Sequence, residues 1–513
     1  MSVTQRTGMA RILSASAAAW VRIGITIVTQ IALVPLYLSN WKPEVYGAWL
    51  LLQATWAIIT VADMGHHDYV GYECLRLGAN NRIEIARTIF SAAPIALLIT
   101  LIDIFFIFIL GEFGFTEKWM NHDIELANEW HAAIMLQAVT FLFTTSMGGL
   151  IVRGLTPFGH FPRIAWWGTF YSLITSIVPG VAVFLGADLW QAMIALCATS
   201  TAFYVVHLAD MVRLIRREGF FLARPTLKLG IMNGVKSLWL TLKGLAEMSR
   251  QQGVRLLLSP LAGVTDMAAF STMRTGANFA LQGLNTVTGP IMPELMRFIE
   301  ARDQQRTEGA FSVVWLVVCV GLTPAVLIVQ YLAPEFFPLW THGKIIFDPW
   351  VFGMLSLSIL LYALTQPAIA VIQGHNIVRT QLYISVLTAL ITTGGLFVLV
   401  PLYGIRGAAF ALLLAELANL LAYLLVATRW LRKNSMHWPW RAFSTTFASI
   451  IIAATGLGVI AEVPGNKQEY LLLALLAAAI VTVIYWHALP QMARERAGGL
   501  ARRFVPKLLS KSK

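Results

Sequence analysis

Charge is scarce in this sequence. Asp, Glu, Lys and Arg make up 12% of its 513 residues, against 57% hydrophobic, and mean hydropathy is +0.69. About a quarter of residues are charged in an ordinary soluble domain, so that class is excluded and a polytopic membrane protein is expected. Cysteine is scarcer still. Cys74, Cys197 and Cys319 lie in separate segments without Cys-x-x-Cys or Cys/His spacing, which signals neither a disulfide framework nor a zinc site. Also missing is a Gly-x-x-x-x-Gly-Lys-Ser/Thr run, so ATP hydrolysis is not expected. There is no Ser/His/Asp, His-Glu-x-x-His or Asp-x-Asp arrangement, and no loop large enough to house a catalytic site. The sequence reads as a non-enzyme that needs neither metal nor cofactor.

What is present is a series of long apolar runs. At roughly 35 residues per span and connection, about fourteen helices of ~20 residues fill the length and leave no room for a separate soluble domain. Breaks rich in charge, Pro or Gly set the spans at about 14–38, 46–73, 88–110, 131–153, 164–186, 189–213, 234–258, 266–292, 310–331, 347–372, 380–402, 407–428, 442–461 and 469–489. Arg6 and Arg11 precede the first run, which continues to Leu38; this predicts a retained span and not a cleaved signal peptide. With a cytoplasmic N-terminus, about 27 of the 38 Lys and Arg fall on cytoplasmic connections, about 5 outside and about 6 within spans. Both termini are therefore expected in the cytoplasm. The net charge of +12 is mostly this topology, and the connection at 111–130 on the other side is acidic through Glu112, Glu117, Asp123, Glu125 and Glu129. No basic groove interleaved with aromatics appears, so nucleic acid is not an expected partner. The basic tail 490–513 reads as an interfacial segment on anionic lipid or as an orientation signal.

The chain repeats itself. Gly159-His160 followed by Arg163 opens the fifth span, and Gly374-His375 followed by Arg379 precedes the eleventh, about 215 residues on. Leu185-Gly186-Ala187 before the sixth span mirrors Tyr403-Gly404-Ile405 before the twelfth. The expected organisation is an N-lobe at 1–215 with six spans, a C-lobe at 216–433 with six, two further spans at 434–489 and the tail. Six is even, so both lobes enter the membrane in the same sense, as in transporters with parallel repeats and a site between halves.

A charge within the hydrocarbon costs about 2.5–3.5 kcal/mol on insertion scales, so each one marks a functional candidate. They concentrate in spans one, two, seven and eight: Arg22; Asp63, His66, His67 and Asp68; Lys236, Lys243, Glu247, Arg250 and Arg255; Asp266 and Arg274. Lys236, Lys243 and Arg250 recur every seven residues and share one stripe of a helix, with Glu247 one turn from both Lys243 and Arg250. Leu238, Trp239, Leu242, Leu245 and Leu256 form an apolar face opposite. At ~1.5 Å per residue Arg22 and Lys243 lie ~12 Å from the cytoplasmic side, and Arg250 and Arg274 nearer mid-membrane. These guanidinium and ammonium groups suit an anion, the arginine fork in particular matching phosphate oxygens. The expected substrate-binding residues are Arg22, Lys243, Arg250, Arg274, Lys236 and Arg255. Asp63, Glu247, Asp103 and Glu416 are expected to pair charges or couple an ion. Asp63 falls at the depth of Arg22, so the two are candidate partners. Adjacent helical residues point about 100° apart, so His66 and His67 do not face one metal, and a structural rim is expected there. Pro35, Pro179, Pro290, Pro293 and Pro367 supply bending points.

Three stretches carry a resemblance: Pro43-Glu44-Val45-Tyr46-Gly47-Ala48-Trp49 running into Ala62-Asp63-Met64-Gly65; Asp266 to Glu294 ending Pro290-Ile291-Met292-Pro293-Glu294; and Val400-Pro401-Leu402-Tyr403-Gly404-Ile405-Arg406-Gly407-Ala408-Ala409. Over nearly its whole length the chain resembles the polysaccharide transporter and O-antigen flippase (Wzx-type) family of the multidrug/oligosaccharidyl-lipid/polysaccharide (MOP) exporter superfamily. The resemblance implies an all-α fold with two six-helix lobes around a cationic cavity and two C-terminal helices. It implies a flippase in the bacterial inner membrane that carries a polyprenyl (undecaprenyl)-diphosphate-linked oligosaccharide for O-antigen, capsule or exopolysaccharide synthesis. Its partners would be that lipid-linked oligosaccharide, membrane lipids, and the polymerase and glycosyltransferase machinery. The competing readings are a drug or organic-cation antiporter of the multidrug and toxin extrusion type, which predicts acids dominating the cavity, and a scaffold without transport, which predicts no polar stripe.

Overall fold

In the computed structural model the chain is all-helical, with 89% of it in helix and no strand among the described residues. The structure describes residues 3–219, 223–375, 377–489 and 494; within the helices the side chains at 3–13, 147, 250, 285–290, 292, 293 and 378 lie outside that description. The basic tail at 490–513 likewise falls outside it, Arg494 excepted. Two compact units emerge, the first formed by Met1–Ser271 with Trp340–Ile345, the second by Thr272–Leu339 with Ile346–Lys513.

The first unit contains α1 (Val3–Asn40), α2 (Pro43–Ile59), α3 (Val61–Leu77), α4 (Arg82–Glu112), a short α5 (Phe115–Trp119), α6 (Ile124–Phe141), α7 (Met147–Gly154), α8 (Phe161–Phe184), α9 (Leu189–Arg217), α10 (Leu227–Ala262) and the start of α11 (Val264–Glu300). The rest of α11 belongs to the second unit, followed by α12 (Gln304–Leu316), α13 (Thr323–Trp340), α14 (Pro349–Gly374), α15 (Val378–Lys433), α16 (Trp440–Glu462) and α17 (Lys467–Ala488). Eleven helical stretches among the described residues are long and apolar enough to cross a membrane, one of them the 55-residue Arg379–Lys433. That stretch bends at Gly404, whose φ of 56° and ψ of −139° leave helical space, where the sequence separates spans eleven and twelve. Left-handed φ favours glycine. Pro35, Pro179 and Pro367 sit inside α1, α8 and α14.

Helix starts follow capping chemistry. Asp188 and Gln191 form a reciprocal box at α9, with Asp188 Oδ1 2.7 Å from the Gln191 N–H. Asp348 accepts from the N–H groups of Trp350 and Val351 ahead of Pro349 at α14, and its other oxygen accepts from Arg406 Nε at 2.7 Å. Two irregularities carry no such sequence signal. Thr60, with ψ near −5°, parts α2 from α3, and Leu142–Ser146 is a π-helical turn joining α6 to α7. Another π turn, Val317–Leu322, joins α12 to α13.

α10 packs chiefly on α2, α3 and α4. The face it offers them is made of small polar residues: Asn233, Ser237 and Thr241 are buried, whereas Leu238, Trp239 and Leu242 are exposed. The helix thus packs through small and hydrogen-bonding residues, the contacts by which helices associate in lipid. At the crossing Gly65 of α3 meets Thr241 so closely that a Cβ there would stand 2.9 Å from the Thr241 nitrogen.

The second unit packs differently. Its core joins Phe311, Trp315 and Cys319 to Leu360, Leu364, Trp438, Phe443 and Tyr485, and the rings of Trp315, Trp438 and Phe443 meet with centroids 5.6–6.0 Å apart. Trp315 Nε1 donates to the Leu364 carbonyl at 3.0 Å and the Tyr485 hydroxyl to that of Ser312 at 2.7 Å.

Candidate functional site

The buried charges of the first unit gather just after the break at Thr60. Asp63, on the first turn of α3, is fully buried, as is His66, and His67 is 5% exposed. Asp63 Oδ1 accepts from Ser146 Oγ at 3.2 Å, and Ser146 Oγ lies 2.7 Å from Thr100 Oγ1 of α4. His67 Nε2 stands 3.5 Å from Asp63 Oδ2, too long for a good hydrogen bond. Both atoms are buried without a hydrogen-bond partner, as is Oδ2 of Asp103, one turn beyond Thr100. His66 faces the other way, with Nε2 3.3 Å from the Ala92 carbonyl and Nδ1 3.5 Å from Ser237 Oγ of α10. The cluster thus gathers two carboxyls and an imidazole, one carboxyl bonded to a pair of hydroxyls, a set able to accept and release a proton.

Several expectations change here. His66 and His67 are interior residues instead of a rim, because a continuous α3 buries one against α4 and α10 and the other against Asp63. Of the His66–His67–Asp68 run, only Asp68 reaches a distant ion-pair partner, Arg153 of α7. Asp63 takes Ser146 and His67 as neighbours, not Arg22.

Arg22 is exposed on α1 and lines a cleft of about 900 Å³ against α8, whose other walls are small or apolar, among them Ala15, Ala19, Gly168 and Phe161. On α10, Lys236 and Glu247 are exposed and Lys243 is half-buried. Arg250 lies two turns beyond Lys243, its side chain outside the described residues. Arg255 is tied down, donating from Nε to Ser271 Oγ and from Nη1 to Gln252 Oε1, both at 3.1 Å. Two of the expected residues belong to the second unit: Arg274 is half-buried on α11, and Glu416 is buried on α15, accepting from Asn419 Nδ2 at 3.3 Å. Among the described residues no three His, Cys, Asp or Glu side chains come together as a metal site.

Sequence reasoning missed Asp210 of α9. Its carboxylate is gripped by the Arg163 guanidinium, with Nε 2.8 Å from Oδ2, and by Trp167 Nε1 at 2.9 Å. Nearby His160 Nε2 meets Glu218 Oε1 at 2.8 Å. The signal was available, since Asp210 is a charge near the end of an apolar run and Arg163 belongs to a repeated motif.

Comparison of this architecture with solved structures finds transporters. The lipid II flippase MurJ in an inward closed conformation superposes with a TM-score of 0.63 at 12% identity, over 92% of this chain and 97% of that one. An inward-facing multidrug resistance MATE family transporter of the MOP superfamily gives 0.63 at 13%, over 80% and 98%. A MOP-superfamily transporter from Pyrococcus furiosus gives 0.56 at 14%, over 82% and 95%. The chain has the MOP-transporter fold. No family model matches the sequence, and no curated protein does. At these identities the shared property is the architecture, and the substrate has to be argued from this chain's own side chains.

Proposed function

We propose that this protein is a flippase of the bacterial inner membrane that moves a polyprenyl-diphosphate-linked oligosaccharide between leaflets by alternating access, with basic side chains holding the diphosphate. The observation that carries the reading is Arg22. An arginine on a membrane-spanning helix, exposed and lining a cleft otherwise small and apolar, is placed to take a diphosphate while a prenyl chain stays in the bilayer. Lys236, Lys243, Arg250 and Arg274 are assigned to substrate binding as well. The acids Asp63 and Asp103 are withdrawn into the helix bundle, where they are suited to coupling an ion. Supporting the reading further, the match to MurJ extends over 92% of the chain, against 80–82% for the MATE and Pyrococcus structures.

A second reading, drug or organic-cation antiport, is favoured by the same buried acids and by the MATE likeness. The deciding experiment is translocation of a labelled polyprenyl-diphosphate oligosaccharide in proteoliposomes, comparing the parent with Arg22→Ala, Lys243→Ala, Arg250→Ala and Arg274→Ala. Transport by the parent with about tenfold loss in two or more variants, equivalent to ~1.4 kcal/mol each, is expected. A parent inactive on several glycans that exports organic cations overturns the flippase reading in favour of the antiporter.

A further inference from the structure

Helices α1, α2, α6, α8 and α9 of the first unit enclose a second cavity, of about 390 Å³. Its chemistry is unlike that of the Arg22 cleft, because no charged side chain is among its lining residues. A phosphate or an ammonium group would find no counter-charge there. The polar lining is amide and hydroxyl. Gln53 and Gln137 each bring a donor and an acceptor, and Oε1 of Gln137 is buried without a hydrogen-bond partner. Thr140, Thr144, Thr175 and Ser176 each donate their proton to a carbonyl one turn back on their own helices, at 2.7–2.8 Å. The oxygen lone pairs of Thr144, Thr175 and Ser176 remain to accept from a ligand, while Thr140 also meets Cys197.

Between these groups stand aromatic rings. Trp56 is half-buried and meets Phe141 edge to face with centroids 5.2 Å apart, while Trp49 and Tyr171 line the same space. Flat apolar faces alternating with neutral donors and acceptors match a pyranose, whose ring carries C–H faces and an equatorial belt of hydroxyls, each both donor and acceptor. The volume lies at the lower end of the ~300–1,000 Å³ typical of small-ligand pockets, which admits a sugar residue and not a chain.

We propose that this cavity is a neutral sugar subsite that holds one residue of the transported glycan, while the diphosphate is held by the basic side chains elsewhere. The proposal rests on the flippase reading and deepens it. The test is isothermal titration of the full-length protein in nanodiscs with free, uncharged sugars: glucose, galactose, mannose, rhamnose, N-acetylglucosamine and N-acetylgalactosamine. Saturable binding of at least one is expected. It should weaken about tenfold in Gln137→Ala and Trp56→Ala and severalfold in the near-isosteric Thr175→Val, the scale of one lost hydrogen bond, and be unchanged in the distant surface variant Arg87→Ala. Thr175→Val keeps the test decisive if the larger truncations misfold.

Absence of saturable binding across the panel overturns the subsite, as does binding that all three cavity variants leave intact. Tetraphenylphosphonium bound in place of sugar, and lost in the same variants, also overturns it. Translocation assays on the same preparations separate the two failures. A parent that flips lipid-linked glycan without binding free sugar refutes the subsite alone, whereas a parent that flips none refutes the flippase reading on which it rests.

Discussion

The two units are built to opposite priorities. In the second, rings and aliphatic chains close a core around Trp315 and Tyr485, and Glu416 is the one carboxylate among its described buried polar residues. In the first, the same depth of burial is spent on Asp63, His66, His67 and Asp210, with atoms of Asp63, His67 and Asp103 left unpartnered. Packing alone would favour replacing such groups, since a buried charge costs more than it returns unless fully paired. Their presence in the first unit and near absence from the second places in the first the buried groups that stability alone does not explain.

The contrast can be broken, beginning with the largest effect. Trp315→Ala empties a fully buried ring site and is expected to cost about 3–5 kcal/mol, read as a drop in thermal midpoint in detergent, with transport per folded molecule preserved. Complete loss of transport in protein that remains folded would show that this core does more than hold the fold. Gly65→Ala sets a Cβ 2.9 Å from the Thr241 nitrogen and 3.0 Å from its Cα, forcing α3 and α10 apart at about 1–3 kcal/mol. Transport should suffer together with stability, because the displaced turn carries Asp63 and His66; an unchanged midpoint would mean that the crossing yields freely. Asp63→Asn preserves shape and an acceptor for Ser146 while removing the charge. Stability is expected to stay within about 1 kcal/mol or to rise, while transport driven by a proton gradient falls about tenfold or more, and equal transport with and without the carboxylate would reduce the cluster to scaffolding. Arg87→Ala, which breaks an exposed pair with Glu84 at 3.0 Å, should shift stability by ~0.5 kcal/mol or less and serves as the baseline against which the others are measured.

Legibility in the sequence followed the physics of each feature. Apolar runs and basic connections are local, so the helices could be located from them, down to the turn at Tyr403-Gly404-Ile405 where only a left-handed φ allows the reversal. The clustering of charge on the second and seventh spans was equally visible. The break at Thr60 was not, since neither Gly nor Pro marks it. The neutral cavity was invisible for a different reason. Gln53, Gln137 and Thr175 are common residues on three separate helices, and nothing in their spacing shows that they meet.

The π-helical turn at Leu142–Ser146 joins these themes. Thr144 and Thr145 face the neutral cavity, while Ser146 holds Asp63, so consecutive residues of one irregular turn serve a ligand space on one side and an acid on the other. A π turn stores one residue more than the α-helix around it. Releasing that residue advances the register by one step and swings the following segment by about 100°, which would carry Ser146 off the carboxylate and re-aim both threonines together. The wall of the cavity and the partner of the acid are therefore adjacent residues of one turn, so a deletion that straightens it is expected to disturb both together.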